Sequence, residues 1–322
     1  MGKNGNIANC RVCVIGGAGF LGSHLVDHLI NDRQCHVLVL DNLTSGLRKH
    51  VHEDAQFEKF DICCPCEDLT NLFKQWAVDW VFNYAAEPYI PECYDNPQRF
   101  FDVNARGALH VLNAGQVAGV KGILQVSSAE IYGETRGKIK ENDPVIPHST
   151  YGVSKVAADG LVQVRWMERR VPAIAMRQFN CVGERETHDY VVPAIISRIH
   201  NSTNDEITLG NNSMRDFQYA GDAVRMAVEL LECGQFGEVY NMGSEECIRI
   251  WSLARIIAEL MGKPSIKIVT DPELVRPWEI WSLQSDNAKL YSVIGARPKV
   301  GLREALNLTI AYFKSNNFKW DW

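Results

Sequence analysis

The stretch Gly16-Gly-Ala-Gly19-Phe-Leu-Gly22 constrains this chain more than any other. CRVCVI stands before it, a short apolar run of strand type; FLGSHLVDHLIND begins within it and repeats apolar residues at helical spacing. Glycines at this spacing permit a tight turn and close backbone approach. The helix start that follows offers N–H donors and a positive dipole to an anion such as a pyrophosphate.

The alternation continues. CHVLVLD and AQFEKFD read as strands, followed by a helical patch at 67–76, the strand VDWVFNYAA, a long helical segment at 96–118 and the strand GILQVSS. Residues 151–170 read as helix and VPAIAMRQF as strand. Short β-rich runs alternating with helices predict an α/β fold, a doubly wound parallel (Rossmann) sheet with right-handed crossovers. After residue 180 the pattern loosens: a helix near 192–200, a strand at EITLG, DFQYAGD leading into a helix to Cys233, the strand VYNMG, and helices at 250–261 and 302–316. The expected organisation is a dinucleotide-binding domain over 1–180, with a returning strand near 238–243. A smaller, interleaved C-terminal substrate lobe over 181–322 should cover the carboxyl ends of the strands, where ligands bind in such sheets.

Composition narrows the partners. The 322 residues are 46% hydrophobic and 22% charged with a net charge of −6, which speaks against nucleic-acid or anionic-membrane binding. No apolar run reaches the length of a membrane span, and MGKNGNIANC lacks a signal-type apolar stretch, so a cytoplasmic location is expected. Ten cysteines raise the question of a metal. In Cys10-Arg-Val-Cys13, odd separation on a strand points the sulfurs to opposite faces. No second pair follows Cys63-Cys64-Pro65-Cys66 at zinc spacing, so reduced thiols and no metal are expected.

CHVLVLD ends in Asp41, about twenty residues beyond the last glycine, where an acid accepts from ribose hydroxyls. It would repel a 2′-phosphate, which favours NAD over NADP. Asp61, ending the third strand, is either an adenine-side contact or a strand-end cap. Tyr151-Gly-Val-Ser-Lys155 puts a phenol and an ammonium on one helical face, on the helix that follows the strand ending in Ser127-Ser128. A nearby lysine should lower the tyrosine pKa toward neutrality and make it a base for an alcohol, with Ser128 bonded to the same oxygen.

GGAGFLG, Asp41, NYAA, SSAEIYG, YGVSK, RDFQYAGD and RPWEIWSLQSDNAKL together resemble the extended short-chain dehydrogenase/reductase family, specifically its nucleotide-sugar epimerases and dehydratases. The resemblance implies Tyr151 as catalytic base, Lys155 as its partner and ribose contact, and Ser128 as the hydroxyl steering the C4 oxygen. It implies a cofactor set of Gly16, Gly19, Phe20, Leu21, Gly22, Asp41, Asn42, Asp61, Ile62, Ala85 and Asn104, with Tyr151 and Lys155. For a nucleotide-diphosphate sugar it implies Glu87, Asn180, Arg215 and Arg276, the two arginines gripping the diphosphate. Arg177 and Arg185 fall in or near the same lobe. Glu87, Tyr89 and Cys93 should line the hexose pocket. The helices at 96–118 and 151–170, with Leu161, Val164 and Trp166, should pair with a second copy as a four-helix bundle in a homodimer.

Two positions depart from the family. Asn83 stands where His is usual, and Ala129-Glu130 where many 4,6-dehydratases carry Asp-Glu. Glu130 is either a solvent-facing residue or the base that removes the C5 proton once C4 is a ketone. The expected activity is therefore an NAD-dependent nucleotide-sugar 4,6-dehydratase, with Glu130 as a fourth catalytic residue. The alternatives are a 4-epimerase, then a uronate decarboxylase or 5,6-dehydratase, and from a different class a non-catalytic NAD sensor.

Overall fold

A computed structural model describes residues 4–187, 190–275 and 278–318. The strands are β1 (Arg11–Ile15), β2 (His36–Asp41), β3 (Gln56–Lys59), β4 (Trp80–Asn83), β5 (Gly122–Ser128), β6 (Ala173–Gln178), β7 (Asn180–Val182), β8 (Glu206–Leu209), β9 (Met214–Tyr219), β10 (Val239–Met242), β11 (Cys247–Arg249), β12 (Lys267–Thr270) and β13 (Ser282–Leu283). The helices are α1 (Phe20–Asn31), α2 (Cys66–Gln75), α3 (Pro97–Phe101), α4 (Ala108–Ala118), α5 (Thr150–Arg169), α6 (Val191–Asn201), α7 (Ala220–Cys233), α8 (Ile250–Leu260), α9 (Ala288–Tyr291) and α10 (Leu302–Ser315). A π-helical turn, Asp102–Gly107, joins α3 to α4.

Seven parallel strands form the main sheet in the order β3-β2-β1-β4-β5-β6-β10. This is the doubly wound order expected from the alternation, and it reverses direction between β1 and β4. Both faces are covered, which is why the strands read as near-continuous apolar runs. Val12 and Val14 face a core shared with Leu25 and Val26 of α1 and Val224 and Leu231 of α7. Cys13 and Ile15, pointing the other way, meet Phe73 of α2, Val111 and Leu112 of α4 and Val162 of α5.

β7 leaves the main sheet one residue after β6 and pairs with β9, which also holds β11 and β13. β8 and β12 form a separate parallel pair. A third core, with Ile195 and Ile199 of α6, Leu253 and Ile257 of α8 and Leu306 and Ile310 of α10, holds this lobe together. The lobe is interleaved, because α7 and β10 pack back onto the main sheet. No helix among the described residues is long and apolar enough to cross a membrane. Among them, too, no three His, Cys, Asp or Glu side chains gather as a metal site.

Candidate active site

A cleft of about 1030 Å³ opens at the carboxyl ends of the main strands, under the second lobe. At its floor the chain turns at Gly16, whose φ of +78° favours glycine. A Cβ there would lie 2.6 Å from the Ala85 nitrogen, and one on Gly22 would run into the Gly16 carbonyl. Gly19, Phe20 and Leu21 complete the turn, and α1 starts with no side-chain cap, leaving its first N–H groups facing the cleft region. Asp41 ends β2, and its carboxylate accepts from the N–H groups of Ala18 (3.0 Å) and Leu43 (2.8 Å). Burial pushes its pKa up and the two N–H groups pull it back. Asp61 accepts from Asn42 Nδ2 at 3.2 Å and from the Cys63 N–H at 2.8 Å, so it caps its own turn while also lining the cleft. Ile62 lines it as well, tight against Gly107 of the π-helical turn.

The second constellation sits between β5 and α5. Ser149 caps α5 by accepting from the Gly152 N–H at 3.0 Å, which fixes Tyr151 in the first turn. The Ser128 hydroxyl is near enough to the Tyr151 phenol to pull its pKa down, and it accepts from the Glu130 N–H at 3.2 Å. Ser128, Glu130, Tyr151 and Lys155 all line the cleft. The lysine does not act on the phenol as expected. Its Nζ donates instead to the Val126 carbonyl at 2.9 Å, and its pKa falls to about 8, lowered by burial and partly restored by Asp159. The Tyr151 pKa is pushed up by burial, pulled down by Ser128 and raised by the Glu130 charge. One phenol, one hydroxyl, one ammonium and one carboxylate thus face a common space and can exchange protons with an alcohol bound there.

The lobe side differs from expectation at several residues. Arg215 lines the cleft, but its guanidinium is already engaged: Nη2 pairs with Glu279 at 2.6 Å, and Nη1 donates to the carbonyls of Ile280 (2.7 Å) and Met214 (2.9 Å). Arg276 lies outside the described residues. Asn180, opening β7, and Glu87 line the cleft, and Arg99 Nε donates to Glu87 at 2.7 Å. Asn104 is not at the cleft wall. It is buried in the π-helical turn, where it clasps the backbone of Glu87 and donates to Ser154 Oγ at 3.0 Å. Arg177 is a strut rather than a lobe residue: it lies on β6 and pairs with Asp159 at 2.7 Å and with Tyr132. Arg185 turns to Asp27 at 2.6 Å. Cys93 is fully buried beside Phe100 and Tyr151, behind the wall it was expected to form, whereas Tyr89 is on the wall. Asn83 donates to Gln125 at 2.8 Å, tying β4 to β5. Trp166 turns inward against Phe236.

Sequence reasoning passed over Tyr84, Gln178 and Glu186, which also line the cleft. Nothing in their spacing marks them; only burial does.

Comparison with known proteins agrees with this architecture. Residues 13–309 match the family model described as GDP-mannose 4,6 dehydratase. A dTDP-D-glucose 4,6-dehydratase of Mus musculus is 28% identical over 331 residues, 99% of this chain and 92% of the relative. The crystal structure of a UDP-glucose 4-epimerase from Thermotoga maritima, solved with UDP-glucose, superposes with a TM-score of 0.89 at 28% identity, covering 95% of this chain and 99% of that one. A dTDP-glucose 4,6-dehydratase from Streptomyces venezuelae, solved with NAD, gives 0.88 at 25% identity over 97% and 99%. The chain belongs to the GDP-mannose 4,6-dehydratase family, among the extended short-chain dehydrogenases/reductases that act as nucleotide-sugar epimerases and dehydratases.

Proposed function

We propose that this protein is an NAD-dependent nucleotide-sugar 4,6-dehydratase. The residues present fit the dinucleotide: the Gly16–Gly22 turn has no room for side chains, and Asp41 stands beside it. NAD bound there would supply the hydride transfer, from C4 of the sugar and back to it at C6. Gly16, Gly19, Phe20, Leu21 and Gly22 hold the pyrophosphate, Asp41 and Asn42 the adenosine ribose, and Asp61, Ile62 and Ala85 the neighbouring wall. Asn104 acts indirectly, through the backbone of Glu87.

Tyr151 takes the C4 hydroxyl proton and Ser128 holds the same oxygen. Lys155, charged at neutral pH with its pKa near 8, supports the ribose side. A C4 ketone acidifies the C5 proton; Glu130 removes it and passes it to the C6 hydroxyl, which leaves as water and gives a 4-keto-5,6-ene. The observation that carries this reading is the Glu130 carboxylate, close enough to Tyr151 to raise its pKa, on the wall where a C5 proton would be presented. Asn180, Arg215 and Arg276, with Glu87 from just past β4, receive the nucleotide diphosphate and sugar.

The alternative, a 4-epimerase, draws support from the Thermotoga maritima likeness and from Ala129, which leaves no acid beside Glu130 to protonate a departing hydroxyl. Incubation with UDP-, dTDP-, GDP- and CDP-sugars and mass analysis of the products separates the two. Loss of water is expected; an isomer of unchanged mass would favour the epimerase, and loss of CO2 a decarboxylase.

A homodimer belongs to the same reading. Val153, Val164 and Met167 on α5 and Val117 on α4 are exposed apolar residues on neighbouring helices, which a second copy would cover. Light scattering at micromolar concentration should give twice the chain mass, and a monomer would end this idea.

A further inference from the structure

We propose that Glu186 is a further cofactor-binding residue, hydrogen-bonded through its Oε2 to the dinucleotide where it passes from the glycine turn toward Tyr151. The inference rests on the NAD reading above and adds to it a residue that the glycine motif and the Tyr-Lys pair do not include.

The observation behind it is a set of unsatisfied atoms on residues of one cleft. Among the described residues, the buried Tyr84 hydroxyl, Ser127 Oγ, Gln178 Oε1 and Glu186 Oε2 have no hydrogen-bond partner. All four residues line the one cleft, just past β4, on β5, at the end of β6 and just past β7. Native proteins leave few buried polar atoms unpaired, and four on residues that line one cleft point to a ligand that supplies partners there. Glu186 is the most costly of them. It is 3% exposed, and a buried carboxylate without a cation is strongly disfavoured.

The charged side chains on its own loop are engaged elsewhere. The neighbouring Arg185 is turned to Asp27, and Glu184 to His24 and Tyr219. Cys181 on β7 is near enough to feel the Glu186 charge, and Tyr84 is near Cys181. Burial holds the Glu186 carboxyl well above the usual carboxylate range, against a hydrogen bond from the Gly183 N–H. Its Oε2 is left without a partner. The loop that carries it packs at Gly183 against the ring of Phe20, the first residue of α1. Glu186 follows three residues later and lines the same cleft as the Gly16–Gly22 turn.

The test is NAD affinity by calorimetry on the full chain freed of nucleotide. Glu186→Gln keeps the size and a hydrogen-bonding end, whereas Glu186→Leu keeps the size and removes the bond. The Leu variant should bind NAD about tenfold more weakly, the loss of one hydrogen bond to a ligand. The Gln variant should stay within about threefold of wild type. Circular dichroism of each variant checks the fold. A Leu variant that is folded and binds like wild type would overturn the proposal. So would a Gln variant as weak as Leu, which would mean that a charged carboxylate is what matters. If wild type itself binds no NAD, the cofactor reading fails first, and the two failures stay distinct.

Discussion

On the sheet wall of the cleft, Lys155 gives its ammonium to one backbone carbonyl and Glu130 stands at the surface of the pocket. On the lobe wall, the guanidinium of Arg215 is taken up by Glu279 and two carbonyls, and Glu279 in turn accepts from Asn211 Nδ2 at 3.0 Å. Just past β4, outside the lobe, Glu87 is likewise held by Arg99. The sheet wall is set by strand ends and a helix cap, so its groups are aimed before any ligand arrives. The lobe wall has neutralised its own charges. Chemistry on the first wall should therefore be broken outright by single substitutions, whereas binding on the second should only be retuned.

The largest effects should come from the sheet wall. Tyr151→Phe should abolish the NADH absorbance that appears on adding substrate, because C4 oxidation has lost its proton acceptor. Glu130→Gln should leave that absorbance while product formation falls roughly a hundred- to ten-thousand-fold, the range for a positioned base. A Glu130→Gln rate near wild type would make the carboxylate a bystander and move the epimerase ahead. Next in size is the pH response. Lys155 carries its charge below about pH 8 and loses it above. If that charge is needed, the rate of C4 oxidation should hold at pH 7 and drop about tenfold per unit well above 8. Lys155→Met should remove this limb, and a flat wild-type profile from pH 7 to 9.5 would contradict it.

The same contrast governs what could be read before any coordinates. The main sheet was legible because parallel strands buried on both faces must be apolar throughout, as in RVCVI and HVLVL. The glycine turn and the Tyr151–Lys155 pair were legible because each is a local pattern with a geometric consequence. Spacing put Lys155 on the tyrosine's face, but it could not say that the ammonium would reach for Val126. Helical periodicity likewise marks Cys93 and Trp166 as apolar without saying which neighbour covers them. The lobe was least legible. Its strands β7, β11 and β13 are two or three residues long and exist only through pairing with β9. The partner of Arg215 lies 64 residues away in sequence, and no local rule connects the two.

The smallest expected effect tests the lobe wall directly. The Arg215 and Glu279 side chains are only 8% and 9% exposed, so their pairing is a buried one. A substrate diphosphate that binds Arg215 has to displace the carboxylate or share the guanidinium with it. Glu279→Gln removes the competing charge but keeps an oxygen that can accept from Arg215. KM for the nucleotide sugar should fall about three- to tenfold with kcat unchanged, the pattern of altered uniform binding. The melting temperature should fall too, since removing one charge of a buried pair exposes the cost of burying the other. An unchanged KM alongside a lowered melting temperature would make Arg215 a strut that fastens residues 279–280 to β9. The diphosphate would then have to be held by other groups on the lobe.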